Sequence, residues 1–175
     1  EVIEYPIDKK ERNQIEMQKK LQLDCSYKHV VIVGLFTPRK NQAYAFEMAE
    51  RLKNYKIKFH FLGNQAGNFE SYWKPLMDKK PENCVIWGER SDTEDFIRAA
   101  DLFFFPSKGD RGNKELNPIV IKECLSWNLP ILMRRLEPYK DFYDSNPLVS
   151  YLSKDGMFYD RDYNLTKIKE ILNLS

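Results

Sequence analysis

Short apolar runs alternate with longer amphipathic segments along this chain. The runs have the length of strands and are rich in β-branched or aromatic residues, and they occupy residues 29–34, 58–63, 84–87, 102–106 and 130–133. Between them, apolar residues such as Phe96, Ile97 and Ala100 recur at a spacing of three and four, which is typical of helices. Near-continuous apolar strands that alternate with helices favour a sheet covered on both sides. The predicted fold class is therefore α/β, a doubly wound parallel sheet of about five to six strands with helices on both faces.

The two ends of the chain extend this alternation. Residues 1–27 are interpreted as a leading segment with an amphipathic helix over residues 9–22, and the pattern after the fifth run predicts a strand near 148–152 and a last helix near 165–174. We interpret residues 1–175 as one domain. Because the chain begins without a methionine or a signal-like apolar stretch, we expect a fragment excised from a longer, two-domain polypeptide.

Charge and composition exclude several classes of function. The 28 basic and 26 acidic residues are interspersed and leave a net charge of +2, which argues against a nucleic-acid partner. The cysteines and histidines are few and far apart: Cys25, Cys84, Cys124, His29 and His60. Neither a disulfide framework nor a zinc site is expected from them. The longest apolar run, residues 30–36, is much shorter than the roughly 20 residues of a membrane-spanning helix. We expect a cytoplasmic domain, with peripheral membrane attachment of the full-length protein left open.

The loop after the first predicted strand is a candidate phosphate site, because ligands of open parallel sheets bind beyond the carboxyl ends of the strands. Gly34 ends the run, and the cations Arg39 and Lys40 precede the next helix. Either cation would neutralise a diphosphate, and the helix would add its N-terminal amides. The alternative is that both residues are solvated loop charges. Spacing alone does not decide between them.

The third predicted strand ends in a candidate base site at Trp87 and Gly88. A glycine lets the backbone approach a flat base closely. Trp87 or Arg90 would then lie along the face of that base. The alternative is that Trp87 is simply a core aromatic.

A pair of glutamates, Glu115 and Glu123, flanks a predicted helix start. Asn117 is a good cap and Pro118 suits the first helical position, so Glu115 stays in the loop and Glu123 falls in the second turn. Helical spacing groups Glu123 with three apolar residues: Ile119, Val120 and Trp127. We therefore predict a carboxylate that points inward with the apolar stripe. Two sugar hydroxyls would satisfy it there, and the alternative is an internal bond to a backbone amide or a lysine.

Taken in order, these features resemble the retaining glycosyltransferases of the GT-B fold, in glycosyltransferase family 4. The resemblance covers residues 29–135 and includes Phe61-Leu62-Gly63, the run from Ala100 to Ser107, and the two glutamates. It implies the C-terminal, donor-binding domain of a two-domain enzyme. In that family the second glutamate binds the ribose of the donor nucleotide, which corresponds to Glu123, and the first contacts the transferred sugar, which corresponds to Glu115.

The resemblance also assigns roles at the phosphate. Lys40, assisted by Arg39, would contact the donor diphosphate and offset the charge that develops as the nucleotide leaves. Glu115 and Lys40 are thus the expected catalytic residues. The remaining donor-binding positions are Gly34, Trp87, Gly88, Glu123 and the backbone amides of Asn117, Ile119 and Val120.

The implied reaction transfers a hexosyl group from a nucleotide diphosphate sugar with retention, and it uses no metal or cofactor. The acceptor, an unidentified glycan, lipid or protein, would bind the absent N-terminal domain, so this chain alone is expected to be inactive. Two departures mark a divergent site. Leu35 stands where the family usually has an arginine, and residues 116–118 replace the glycines that commonly follow the first glutamate.

Two other functions remain open for this sequence. One is a GT-B-like nucleotide-sugar epimerase, whose chemistry acts on the donor itself. The other is a noncatalytic binding module of flavodoxin-like topology. The phosphate-accepting aspartate of such a module is expected at the end of a strand, whereas Asp101 begins its predicted strand.

Overall fold

A parallel sheet of six strands organises the protein in the computed structural model, which describes residues 9–108, 119–136, 141–153 and 160–175. The strands are β1 (Lys28–Val33), β2 (Ile57–Leu62), β3 (Cys84–Gly88), β4 (Leu102–Phe105), β5 (Ile131–Met133) and β6 (Val149–Tyr151). Their order in the sheet is β3-β2-β1-β4-β5-β6. This order confirms the predicted doubly wound sheet. It excludes the flavodoxin-like alternative, in which the second strand lies at the edge of the sheet.

Helices connect the strands and cover the sheet. They are α1 (Gln14–Lys20), α2 (Gln42–Arg51), α3 (Glu70–Asp78), α4 (Thr93–Ala99), α5 (Ile119–Ser126) and α6 (Arg161–Leu172). The leading helix is shorter than the predicted span of 9–22, because Asn13 before it has a left-handed backbone conformation. The last helix begins earlier than predicted, at a cap where the Asp160 side chain accepts a bond from the Tyr163 amide. In the described parts of the chain, none of the helices is long and apolar enough to span a membrane.

Each face of the sheet is covered by its own set of helices. On the first face, α2, α3 and α6 pack against alternate strand residues, and the Phe46 ring meets the Phe61 ring edge-on with centroids 4.9 Å apart. On the second face, α4 and α5 pack against the other strand residues, with Phe96 and Ile121 fully inside. The chain runs outward from β1 through β2 to β3 and then returns to place β4 on the other side of β1. The strand order therefore reverses between β1 and β4. In doubly wound sheets, ligands bind at such a switch point.

One buried amide fastens α6 to the rest of the domain. Asn164 has no exposed surface; its Nδ2 donates to the Tyr44 hydroxyl of α2 at 2.6 Å, and its Oδ1 accepts from the Ser153 amide after β6 at 3.0 Å. A buried amide that loses a partner keeps the full cost of its desolvation.

We therefore expect Tyr44→Phe to lower the free energy of unfolding by about 1–2 kcal/mol, because the substitution removes the acceptor of Asn164 and leaves its amide donor buried. Urea denaturation measures the change. Tyr163→Phe is the matched control, since Tyr163 is 43% exposed, and it should change stability by less than about 0.5 kcal/mol. Equal effects of the two substitutions would contradict the role given to Asn164.

Candidate functional site

The carboxyl ends of β1, β2 and β3 form a ledge of glycines. Gly34 donates its amide to the Leu62 carbonyl, and Gly63 donates to the Gly88 carbonyl, each at 2.8 Å. A Cβ built on Gly63 would lie 2.0 Å from the Gly34 carbonyl oxygen, so only glycine permits this approach. Gly34, Gly63 and Gly88, which we call the glycine ledge, therefore present backbone without side chains beside the switch point.

Lys40 crosses from the end of β1 to the end of β4. Its methylene chain covers Gly34, where a Cβ would lie 3.2 Å from the lysine Cδ, and its Nζ lies 5.2 Å from the centroid of the Phe105 ring. An ammonium over an aromatic face is held by the ring quadrupole. The structure thus brings the predicted Lys40 to the switch point itself, at one end of the glycine ledge.

The loop that carries Lys40 is tied to the end of β4 as well. The carbonyl of Arg39 accepts from the Lys108 amide at 2.8 Å and from the Ser107 hydroxyl at 3.2 Å, while the Arg39 side chain is exposed. The Asn41 side chain donates to the Pro106 carbonyl at 3.2 Å. These bonds hold the predicted phosphate loop at the edge of the sheet where β1 and β4 end.

The amides at the start of α2 are less available than the sequence suggested. Those of Lys40 and Asn41 donate to the Thr37 carbonyl at 3.1 and 3.2 Å, and that of Ala43 donates to the Tyr72 hydroxyl at 3.2 Å. Three amides at this helix start thus already have partners within the chain. The cationic side chains of this loop are those of Arg39 and Lys40.

Trp87 packs as a core aromatic does and lies at the end of β3, where the base site was predicted. Its ring packs against Phe96 of α4 with centroids 5.0 Å apart, as a core aromatic does, and its Nε1 donates to His60 Nδ1 at 3.0 Å. Its outer side carries the guanidinium of Arg90, which lies 5.4 Å from the indole centroid and forms a two-pronged ion pair with Asp92. A planar, charged group thus lies beside the end of β3, next to Gly88.

The prediction that Glu123 points inward is wrong. The buried residues of α5 are Ile121, Cys124 and Leu125, whereas Glu123 is exposed and Ile119 is 62% exposed. Glu123 and Ile119 do share a side of the helix, but that side faces away from the sheet. The carboxylate therefore needs no internal partner and is open to a ligand.

Glu123 faces the beginning of α4. The pKa of its carboxyl is raised, first because the group is partly buried and second because the Glu94 carboxylate lies nearby. Trp87 packs against the same helix through Phe96. The candidate ribose and base residues therefore border one helix, on the second face of the sheet.

Two candidates from the sequence, Glu115 and Asn117, lie outside the described residues, as does Pro118, the predicted first residue of the helix. The structure describes α5 from Ile119 onward, which agrees with the helix predicted there. Val120 is the second residue of this helix and packs at the margin of the core on the second face. The backbone amides proposed for Ile119 and Val120 thus belong to the first described turn of α5.

Sequence reasoning missed Arg134 and Glu94. The Arg134 amide donates to the Phe105 carbonyl and its guanidinium donates to the Lys108 carbonyl, both at 3.3 Å, so this cation stands at the end of β5 beside Lys40's loop. The signal was available, because Arg134 directly follows the fifth apolar run. Glu94 carried no comparable signal, since only the packing of α4 on α5 brings it near Glu123.

A family model described as glycosyl transferases group 1 matches residues 27–151. The chain is 26% identical over 136 residues to the processive diacylglycerol alpha-glucosyltransferase of Acholeplasma laidlawii, and the match covers 76% of this chain and 39% of that protein. The fold is similar to that of WaaG, a glycosyltransferase involved in lipopolysaccharide biosynthesis, with a TM-score of 0.72, 18% identity and coverage of 97% of this chain and 45% of that chain.

A second solved structure, Anabaena HepE in complex with UDP and glucose, is similar with a TM-score of 0.60 and 13% identity over 74% of this chain and 35% of that chain. At such identities the two structures show a common fold and no more. The chain spans less than half the length of each of these relatives. The family match covers all six strands, with Trp87 in β3, together with the loop that carries Lys40 and the helix that carries Glu123. This chain therefore belongs to the group 1 glycosyl transferases and contributes a domain of the GT-B fold.

Proposed function

We propose that this domain binds the nucleotide diphosphate sugar of a retaining glycosyltransferase and forms the donor half of its active site. The observation that carries the proposal is the position of Lys40, whose ammonium lies over Phe105 at the switch point, beside the glycine ledge. Membership of the family supports sugar transfer. The complex of the similar HepE structure with UDP and glucose supports a nucleotide donor.

The diphosphate is assigned to the ledge and to Lys40. The ledge lets phosphate oxygens approach the backbone, and the ammonium offsets the charge that develops when the nucleotide leaves. Arg39 and Arg134 flank the same edge of the sheet from the ends of β1 and β4–β5. Because Leu35 replaces the arginine usual in the family, we assign the second phosphate cation to this flanking pair. These positive charges take the place of a divalent metal ion.

The nucleoside is assigned to the residues that border α4. The exposed carboxylate of Glu123 accepts hydrogen bonds from two adjacent ribose hydroxyls, one on each of its oxygens. The base lies beside Gly88, along Trp87 and Arg90. Glu115 contacts the transferred sugar, as the resemblance to the retaining enzymes implies.

The other half of the reaction belongs to a second domain in this proposal. The acceptor, whether glycan, lipid or protein, binds an N-terminal domain, and the present chain alone binds donor without transferring it. Transfer by the full-length enzyme, followed by NMR of the anomeric carbon in the product, tests retention. A product in which the sugar is epimerised on its nucleotide would overturn the assignment as a transferase.

We expect Lys40→Ala and Glu123→Ala each to weaken nucleotide diphosphate binding by about tenfold or more, because each removes a charged partner of the ligand. Isothermal calorimetry with a panel of nucleoside diphosphates, UDP among them, measures the affinities for the 175-residue chain. Lys53→Ala is the matched control, since Lys53 pairs with Glu50 at the opposite end of α2, and it should stay within about twofold. Failure of every nucleotide to bind, or unchanged affinity in both variants, would refute the proposed site.

A further inference from the structure

A continuous chain of hydrogen bonds runs across the sheet from the candidate base site to the beginning of β1. Trp87 Nε1 donates to His60 Nδ1 at 3.0 Å. His60 Nε2 lies 2.9 Å from His29 Nδ1, and His29 Nε2 lies 2.9 Å from the carbonyl oxygen of Asp24. We call these four groups the histidine relay. It joins β3, β2 and β1 by side chains on the second face of the sheet.

The direction of every bond in the relay follows from its two ends. An indole nitrogen only donates, so His60 Nδ1 must be the acceptor and His60 carries its proton on Nε2. That proton is donated to His29 Nδ1, which leaves the His29 proton on Nε2 for the Asp24 carbonyl. Both imidazoles are therefore neutral, and each uses both of its nitrogens. An added proton on either ring would set two donors against each other.

The surroundings of the relay favour the neutral rings. Both histidines are buried, and burial is the main cause that lowers the pKa of each. The charged groups that face them are Asp24, Asp101 and Lys58. Asp101 is occupied by the backbone, because its carboxylate accepts from the His29 amide at 2.8 Å. The relay is thus a fully paired, uncharged network.

The free end of the relay is the half-buried indole of Trp87. The imidazole of His60 lies beyond its Nε1 edge, inclined by 29° with centroids 6.1 Å apart, and Phe96 packs against it at 61°. On the outer side lies Arg90, held by Asp92. The bond from Nε1 selects one orientation of the indole, and the Arg90 guanidinium lies 5.4 Å from the centroid of that ring.

We propose that His60 is a positioning residue for nucleotide recognition: through its bond to Trp87 it fixes the indole and the Arg90 guanidinium in the orientation that the base requires. This inference rests on the proposed function, since it needs a nucleotide base beside β3. His29 supports His60 from behind, because its Nδ1 accepts the single N–H of the His60 imidazole, the one on Nε2. The two histidines hold the Trp87 indole in its orientation and do not contact the ligand themselves.

Substitutions at residue 60 separate the two bonds of this imidazole. In His60→Asn, the amide oxygen occupies nearly the position of Nδ1 and keeps the bond from Trp87. In His60→Gln, the longer side chain places its amide nearly where Nε2 was and keeps the bond to His29 instead. His60→Phe keeps the ring volume and loses both bonds. We expect His60→Asn to bind nucleotide diphosphate within about threefold of the wild type, and His60→Gln and His60→Phe to bind about tenfold more weakly.

Trp87→Phe tests whether the effect passes through the indole. It removes the donor and keeps an aromatic ring, so adding His60→Phe to Trp87→Phe should cause almost no further loss of affinity. Calorimetry measures the cycle, and melting temperatures are recorded for every variant. If affinity follows melting temperature and ignores which bond is kept, or if the two losses add, the positioning role is overturned.

NMR supplies a readout that is independent of ligand. The indole proton of Trp87, identified by its absence in Trp87→Phe, should keep its position in His60→Asn and move in His60→Gln and His60→Phe. Nitrogen shifts of the wild-type imidazoles should show the proton on Nε2 in both rings. If the wild type binds no nucleotide, the proposed function fails and the positioning role with it. If the wild type binds and His60→Phe binds equally well, only the positioning role fails.

Discussion

Gly63→Ala is expected to lower the free energy of unfolding by about 3–5 kcal/mol. A methyl group at this position would lie 2.0 Å from the carbonyl oxygen and 2.5 Å from the carbonyl carbon of Gly34, distances at which real atoms do not coexist. The backbone φ of +145° adds strain for any residue with a side chain. Neither neighbour is a flexible side-chain end, so the ends of β1 and β2 must move apart.

Chemical denaturation of the wild type and Gly63→Ala measures this loss. Gly67→Ala is the matched control, because no described atom lies within 4 Å of the Cβ it would add, and we expect it to change stability by less than about 0.5 kcal/mol. The separation of the strand ends should also weaken nucleotide binding in Gly63→Ala. A Gly63→Ala chain as stable as the Gly67→Ala chain would show that the ledge is not closely packed.

The strands could be predicted closely because both faces of the sheet are covered. A strand buried on both sides is apolar at nearly every position, so the runs 29–34 and 58–63 lie within one residue of β1 and β2. Each run was extended by its terminal glycine, which lies just beyond the strand. α3 was not delimited, because it contains Pro75 and, over its described length, has no fully buried residue.

The candidate site was only partly predictable, because the periodicity of a helix gives relative angles without saying which side meets the sheet. Glu123 was grouped correctly with Trp127, but Trp127 is packed in the second core and is also contacted by Lys10 and Arg98, whose cations lie 4.9 and 4.6 Å from its ring, whereas Glu123 is exposed. The two cations come from the leading segment and α4, which helical periodicity does not reveal. The partner of Lys40 was hidden for a similar reason, since only the order of strands places Phe105 beside Gly34.

The histidine relay depends on register, which the sequence does not state. His29 and His60 are distant in the chain, and they meet because β1 and β2 pair with Val31 opposite His60. The two rings then lie diagonally on one face, 5.1 Å apart between centroids. A buried pair of titratable groups makes the free energy of unfolding depend on pH, and the direction of each pKa shift gives the sign of this dependence.

Stability should fall by about 3 kcal/mol when the pH is lowered from about 7.5 to about 4.5 because of His60. Burial, His29 and Lys58 lower the pKa of His60 to about 3, while in the unfolded chain it is near its ordinary value of about 6.5. Between these values the unfolded chain binds the extra proton. The contribution of His60 is therefore complete above pH 6.5 and is lost at about 1.4 kcal/mol per pH unit as the pH falls toward 3.

Urea denaturation at a series of pH values measures this slope, and His60→Asn separates it from the titration of carboxyl groups. The variant lacks the buried imidazole, so its free energy of unfolding should fall less steeply with decreasing pH between pH 4.5 and 6. The difference from the wild type should be about 1.4 kcal/mol per pH unit, which corresponds to one proton. His29, the other histidine of the chain, stays in the variant, and because burial lowers its pKa it should give both proteins a similar slope. If the free energy of unfolding varied with pH in the same way in the two proteins, His60 would be protonated in the folded state. The bond directions given for the histidine relay would then be wrong.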